Sequence, residues 1–172
     1  MPDSAAEHRA SGPSSVRCYV LTVSDTRTDA TDSSGLAIVT LLSDAGHQVL
    51  ARQIVPDEPR LVREAILRQC DADPKAGPDV IITTGGTGIT TRDRTFEAVE
   101  SLLEKRLDGF GELFRMLSFE QVGPAAMLSR ATAGLARGRI IVSLPGSEAA
   151  VRLAMERLLL PELGHLVQQA RR

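Results

Sequence analysis

With 172 residues and a net charge of −2, the chain is long enough for one domain with an ordinary apolar core, which we expect to span residues 16–172. The slight negative charge and an aromatic content of 3% argue against nucleic-acid binding. No apolar run reaches the roughly 18 residues of a membrane-spanning helix, and no apolar signal core stands near the N-terminus, so a cytoplasmic location is expected.

The predicted elements follow a tail, residues 1–15, that is rich in Ser, Ala and Pro and is expected to be flexible. Capping residues mark the first helix, with Asp32 or Ser33 at its start and Gly46 at its end. In chain order the elements are a strand at 17–23, a helix up to Gly46, a strand at 49–55, a helix at 60–71, a strand at 79–84, helices at 95–103 and 113–120, a helical turn from Pro124 to Ser129, strands at 130–137 and 139–144, and two final helices separated at Pro161.

The alternation of strands and helices predicts an α/β sandwich with helices on both faces of a mainly parallel sheet. Two strands joined only by Gly138 predict an antiparallel edge. Cys18 and Cys70 lie in separate apolar segments, so we interpret them as buried free thiols rather than a redox pair. One segment concentrates large apolar side chains that could be core or subunit contact: Phe110, Leu113, Phe114, Met116, Leu117 and Phe119.

The central stretch of the sequence is the Gly/Thr loop, residues 83–93 (TTGGTGITTRD), which joins an apolar strand to a helix. Gly85, Gly86 and Gly88 allow positive φ and close approach, so successive N–H groups could form a nest for an anion. The loop lacks the Gly-Lys-Ser/Thr ending of a P-loop and the spacing of a dinucleotide loop. The alternative is a tight turn whose glycines serve geometry alone, although Arg92 and Asp93 add polar groups that such a turn does not need.

Three other polar turns follow strands, and in a parallel sheet all four turns open on one edge. They are Ser24-Asp25, Pro56-Asp57-Glu58 and Leu144-Pro145-Gly146-Ser147. Asp57 and Asp93 are therefore candidate ligands of one Mg²⁺, which binds one or two carboxylates together with substrate phosphates. Alternatively, Asp57 is a turn former between two prolines, Asp93 complements a helix dipole, and Asp25 bonds its own loop. A phosphorylated ligand and phosphoryl or nucleotidyl transfer fit these residues best.

Six stretches together resemble the MoaB/Mog family of molybdenum cofactor biosynthesis proteins, which includes the gephyrin G domain. They are LTVSD (21–25), DSSG (32–35), IVPDE (54–58), TTGGTGITTRD (83–93), GFGELFRMLSFE (109–120) and LPGS (144–147).

The resemblance implies a three-layer α/β/α fold assembled as a trimer or a hexamer. It implies Mg²⁺-dependent adenylylation of molybdopterin by ATP, with molybdenum insertase and molybdopterin synthase as protein partners. The family's two essential aspartates match Asp57 and Asp93, as catalytic residues and metal ligands. The substrate-binding residues implied are Ser24, Asp25, Ser34, Gly35, Thr84, Gly85, Gly86, Thr87, Gly88, Gly111, Glu112, Pro145, Gly146 and Ser147.

Two features separate an enzyme from a non-catalytic molybdopterin carrier. The GFGELFRMLSFE stretch is most similar to the MoaB branch, in which some members lack the first aspartate and are thought not to adenylylate. This sequence keeps Asp57, which favours the enzyme. The turn after Leu144 reads Gly146-Ser147-Glu148 where Mog-type members have Gly-Asn/Gln-Pro, so the pterin contacts of Mog-type members do not carry over directly to this turn.

Overall fold

A six-stranded mixed sheet forms the middle layer of the protein in a computed structural model, which describes residues 12–172. The strand order is β2-β1-β3-β6-β5-β4, in which the first four strands run parallel and β5 and β4 form the antiparallel edge. The strands are β1 (Arg17–Val23), β2 (Gln48–Val55), β3 (Val80–Thr84), β4 (Lys105–Arg106), β5 (Thr132–Ala136) and β6 (Arg139–Leu144). The predicted parallel sheet with an antiparallel edge is confirmed.

Helices cover both faces of this sheet and complete the three layers. They are α1 (Ser33–Asp44), α2 (Pro59–Cys70), α3 (Thr95–Glu100), α4 (Asp108–Val122), a 3₁₀ helix (Gly123–Leu128), α5 (Glu148–Ala154), a π-helix (Met155–Leu159) and α6 (Leu160–Ala170). Helices α2 and α3 pack on one face, and α1, α4, α5 and α6 pack on the other. None of the helices in residues 12–172 is long and apolar enough to cross a membrane.

The core lies on both sides of the central strands. Strands β1 and β3 are buried along nearly their whole length, as expected for β-branched runs that are covered on both faces. Ile82 and Phe114 belong to the larger apolar cluster, whereas Ile66 and Ile81 belong to the smaller cluster under α2 and α3. Because Ile81 and Ile82 are adjacent on β3, their side chains face opposite layers.

The caps and the thiols agree with the sequence. Asp32 accepts the N–H of Gly35 and caps α1, and Gly46 follows that helix with a φ of +83°. Both cysteines are buried and free. The segment of large apolar residues divides: Phe114 and Leu117 are core, whereas Leu113, Met116 and Phe119 stay exposed, Phe119 by 58%.

The structure differs from the sequence prediction around residue 100. Helix α3 ends at Glu100 instead of Leu103, and the two-residue strand β4 follows, which the sequence did not predict. Lys105 and Arg106 are exposed and too few to show a period of two, and only pairing with β5 makes them a strand. The predicted break between the last two helices is a π-helix, Met155–Leu159, which ends two residues before Pro161.

Most of the tail that the sequence predicts to be flexible, residues 1–11, lies outside the described residues. Residues 12–15 form no helix or strand. The backbone of Gly12 and Pro13 lies against that of Gly164 in α6, where a Cβ on Gly12 would come within 2.6 Å of the Gly164 carbonyl carbon.

Candidate functional site

The four polar turns meet at one edge of the sheet, as the parallel order of β2, β1, β3 and β6 requires. The Gly/Thr loop leaves the central strand β3, and its first residues bond the turn after β6. The Gly85 N–H donates to the Leu144 carbonyl at 3.0 Å, and Thr84 Oγ1 donates to the Pro145 carbonyl at 2.9 Å. A Cβ on Gly146 would lie 3.3 Å from the Gly85 Cα, so the two turns touch through glycine backbone.

Two glycines of the Gly/Thr loop adopt a conformation that other residues rarely take. Gly85 has a φ of +102° and Gly86 a φ of +63°. A Cβ on Gly85 would overlap the carbonyl oxygen of Val23, and one on Gly86 would overlap Thr95 Oγ1 and lie 2.8 Å from Asp57 Oδ2. These glycines therefore let the backbone pack directly against β1 and against the Asp57 side chain.

The Asp57 carboxylate faces the Gly/Thr loop from the turn after β2. Thr95 Oγ1 donates to Asp57 Oδ1 at 3.3 Å, while Oδ2 lies where it would be 2.8 Å from a Cβ on Gly86. Burial raises the pKa of Asp57, and repulsion from Asp25 and Asp93 raises it further, against the hydrogen bond from Thr95. Like charges crowded at a half-buried carboxylate are the setting in which a divalent cation is stabilised.

The Asp93 carboxylate folds back onto its own loop. It accepts the Thr90 N–H at 2.9 Å and the Thr90 hydroxyl, and a Cβ on Gly88 would lie 2.6 Å from Asp93 Oδ2. The hydroxyl bond from Thr90 lowers the pKa of Asp93, and this effect outweighs partial burial. Asp93 is therefore ionised and held against the glycine-rich part of the loop.

Asp25 connects the turns instead of bonding its own loop, so that alternative is wrong. Asp25 Oδ1 accepts the Asp57 N–H at 3.1 Å, and Asp25 forms an ion pair with Arg92 of the Gly/Thr loop. The hydrogen bond from the Asp57 N–H, together with Arg92, lowers the pKa of Asp25. Ser24 is the residue that bonds locally, because its Oγ accepts the N–H groups of Thr26 and Arg27.

Ser34 and Gly35 lie at the buried start of α1. The Gly35 N–H donates to Asp32 Oδ1 at 2.9 Å, and a Cβ there would overlap the Asp32 carboxylate. Ser34 is 2% exposed and its hydroxyl also reaches Asp32, at 3.4 Å. Arg52 forms an ion pair with the same carboxylate. The polar groups of Ser34 and Gly35 that the structure describes are thus engaged in the cap of α1.

Gly111 and Glu112 line a cavity of about 370 Å³ between β4, α4 and β5. A Cβ on Gly111 would lie 2.9 Å from the Ala131 carbonyl oxygen and 2.9 Å from Arg115 Nη2, so the glycine leaves room for the Arg115 guanidinium. Arg130 also lines this cavity and bonds the Gly/Thr loop, which connects the two regions. Pro145 and Ser147 line a separate cavity of about 250 Å³, and Ser147 Oγ caps α5 by accepting the Ala150 N–H.

Sequence reasoning missed two residues of this edge. Thr95 Oγ1 bonds Asp57, and the Arg130 guanidinium bonds carbonyls of the Gly/Thr loop from 37 to 43 positions away. The only signal for Thr95 was its place at the start of a helix, and Arg130 had none because it stands between a 3₁₀ helix and a strand with no motif around it.

Within residues 12–172, no group of three or more His, Cys, Asp or Glu is arranged to hold a metal ion. Asp57 and Asp93 supply two carboxylates, which suits Mg²⁺ when a substrate's phosphates complete the coordination.

The chain is similar to known proteins over nearly its whole length. The family model described as "Probable molybdopterin binding domain" matches residues 19–165. Molybdenum cofactor biosynthesis protein B of Bacillus cereus is 49% identical over 170 residues, which are 98% of this chain and 99% of that protein. A crystal structure of a molybdenum cofactor biosynthesis protein B has a TM-score of 0.88 at 49% identity, covering 92% of this chain and 98% of the other.

The tungsten cofactor synthesizing protein MoaB from Pyrococcus furiosus is also similar, with a TM-score of 0.82 and 40% identity over 93% of this chain and 99% of that one. The match spans nearly the whole of each chain, including every turn of the candidate site. The chain therefore belongs to the molybdopterin-binding family of molybdenum cofactor biosynthesis proteins, in its MoaB/Mog group.

Proposed function

We propose that the protein is a molybdopterin adenylyltransferase that uses Mg-ATP. An oxygen of the terminal molybdopterin phosphate attacks the α-phosphorus of ATP, a new P–O bond forms, the bond from that phosphorus to the bridging oxygen breaks, and pyrophosphate leaves. The observation that carries the proposal is the close approach of two loop glycines to two carboxylates, since a Cβ on Gly86 would lie 2.8 Å from Asp57 Oδ2 and one on Gly88 would lie 2.6 Å from Asp93 Oδ2. The glycines proposed as a phosphate nest and the two candidate Mg²⁺ ligands, one on the Gly/Thr loop and one on the turn after β2, thereby lie side by side.

The residues at this edge would act in two ways, by orienting the phosphate groups and by neutralising their charge. Among the residues that the structure describes, no acceptor meets the N–H groups of Gly86 and Thr87, which leaves them for phosphate oxygens. Asp57 and Asp93 would hold Mg²⁺, which when bound neutralises the charge of the triphosphate. Arg92 forms an ion pair with Asp25, and Asp25 in turn accepts the Asp57 N–H. Arg92 therefore stabilises the Ser24-Asp25 turn, which supports Asp57. Transfer of this kind depends on positioning and charge more than on covalent chemistry.

The test is pyrophosphate release by the purified protein with molybdopterin, ATP and Mg²⁺. The variant Asp57→Asn removes one carboxylate charge and is expected to lower the rate at least a hundredfold, because metal-assisted charge stabilisation contributes several kcal/mol. Asp44→Asn is the matched control, since Asp44 is an exposed residue in the last turn of α1. Activity that depends on molybdopterin and survives only in the wild type and the control supports the proposal.

Two results would contradict it. Turnover of the Asp57→Asn variant within about threefold of the wild type would remove Asp57 from the reaction. Binding of molybdopterin by the wild type with no release of pyrophosphate would make the protein a carrier.

We further propose that the protein forms a homo-oligomer, a trimer or a hexamer, through one side of α4 and the 3₁₀ helix. Large apolar side chains are exposed there, and contiguous apolar surface of this kind marks an interaction site. They are Leu113, Met116, Phe119, Val122, Met127 and Leu128. Light scattering coupled to gel filtration tests this: Phe119→Glu is expected to shift the assembly to monomer, and a monomeric wild type at micromolar concentration would refute it.

A further inference from the structure

The Arg130 guanidinium lies behind the Gly/Thr loop, on the side of its carbonyl groups. Nη2 donates to the Asp93 carbonyl at 2.9 Å and to the Gly88 carbonyl, and Nε donates to the Thr87 carbonyl at 3.3 Å. The rigid fork of an arginine thus binds three carbonyls of one loop, a pattern that the point charge of a lysine does not reproduce.

Two further contacts fix the guanidinium in place. Its Cζ lies 4.9 Å from the centroid of the Phe96 ring, and Nη1 forms an ion pair with Glu97. Both partners belong to α3, the helix that the Gly/Thr loop leads into. The Arg130 side chain is 25% exposed and Glu97 is 58% exposed, so this ion pair contributes little to global stability.

Binding these carbonyls determines where the neighbouring N–H groups point. In a planar trans peptide the C=O and the following N–H point in opposite directions. When Arg130 holds the Thr87 and Gly88 carbonyls on its own side, the N–H groups of Gly88 and Ile89 are directed to the other side of the loop. The Asp93 carboxylate lies on that other side, since the Gly88 N–H faces it and a Cβ on Gly88 would be 2.6 Å from Asp93 Oδ2.

We propose that Arg130 is a positioning residue, which fixes the orientation of the peptide groups after Thr87 and Gly88 and thereby holds the segment that carries Asp93. Arg130 donates its hydrogen bonds to carbonyls of the loop and to Glu97, and to neither candidate carboxylate. That Asp93 so placed serves the reaction rests on the proposed function, whereas the alignment itself is a property of the loop.

The test compares Arg130→Lys and Arg130→Gln with the wild type. Arg137→Lys is the matched control, because Arg137 is an exposed arginine bonded to Asp71 at the β5–β6 turn. Amide hydrogen exchange followed by mass spectrometry reports the loop without requiring any reaction. We expect faster exchange confined to residues 85–93 in both Arg130 variants, and none of this in the control.

Kinetics supply the second measurement. A misplaced loop is expected to lower kcat for pyrophosphate release about a hundredfold, with the KM for molybdopterin within threefold of the wild type. Guanidinium ion added to Arg130→Gln is expected to restore part of kcat, and the melting temperature should fall by no more than a few degrees.

Three outcomes would overturn the positioning role. Exchange in residues 85–93 that is unchanged in both Arg130 variants means that the residue does not hold the loop. Exchange that rises evenly through the whole chain means that Arg130 serves the fold as a whole. Wild-type kinetics in an Arg130 variant with a loosened loop means that the loop alignment does not matter to the reaction. If the wild type itself releases no pyrophosphate, the proposed function fails, and the exchange measurement still decides whether Arg130 holds the loop.

Discussion

Alanine substitutions at Gly86 and Gly46 together distinguish two effects at the Gly/Thr loop. One is the backbone strain of a positive φ, and the other is the steric contact of a Cβ with Thr95 and Asp57. Gly86 and Gly46 both have positive φ, +63° and +83°, so alanine is strained at either position. Around Gly46 the space for a Cβ is open, with no atom within 4 Å. At Gly86 the Cβ would overlap Thr95 Oγ1 and come within 2.8 Å of Asp57 Oδ2. Gly46→Ala therefore measures the strain alone, and Gly86→Ala adds the steric contact.

The difference between the two variants can be worked from these contacts. A positive φ destabilises an L-residue by about 1–2 kcal/mol, which is the whole effect expected for Gly46→Ala. Overpacking against Thr95 adds about 1–3 kcal/mol for Gly86→Ala. The middle of that range, about 2 kcal/mol, is the expected difference in the free energy of unfolding between the two variants. In a chain of this size, the melting temperature of Gly86→Ala should then lie about 4–8 °C below that of Gly46→Ala.

Thermal unfolding followed by circular dichroism gives the two melting temperatures, and pyrophosphate release below both of them gives the activities. Gly46→Ala is expected to keep wild-type activity. Gly86→Ala is expected to lose at least tenfold in kcat because the Cβ displaces the Asp57 carboxylate. Melting temperatures that agree within about 2 °C, or full activity of Gly86→Ala, would refute the inferred packing of the loop against Asp57.

Three further predictions concern stability and pH. Burial opposes the ionisation of Asp79, yet hydrogen bonds from Arg17 and Arg171 hold its pKa at about 2, against an ordinary value of 3.8. In urea titrations at pH 7, the Asp79→Asn variant should therefore be less stable than the wild type by about 2.5 kcal/mol. Because the folded pKa is the lower one, that difference should be complete above pH 3.8 and vanish as the pH falls toward 2, and a difference that persists at pH 2 would contradict it. Because the pKa of Asp57 is raised and cation binding requires its carboxylate, kcat/KM for ATP should rise with pH through a value above 3.8, and the absence of that limb in a pH–rate profile would exclude the role. Phe114→Ala should lower the free energy of unfolding by about 3–5 kcal/mol, since the ring is 1% exposed in the larger cluster, and a loss below 1 kcal/mol would place Phe114 outside the core.

The sequence alone determined most of the elements, the fold class and the edge at which the polar turns gather. These follow from local chemistry: the runs at β1 and β3 can only be strands covered on both faces, and Asp32, Gly46 and Ser147 cap helices through groups close in the chain. The parallel order then brings the ends of β2, β1, β3 and β6 together. Asp57 and Asp93 could be chosen in advance for that reason.

Only the tertiary structure decided which groups touch. Arg130 reaches the Gly/Thr loop, Thr95 bonds Asp57, and Asp25 joins two turns across 32 residues, and none of these pairs has a local pattern. Strand β4 exists because β5 offers it a partner. Such contacts depend on distances between segments far apart in the chain, and a sequence period records only which face a residue occupies.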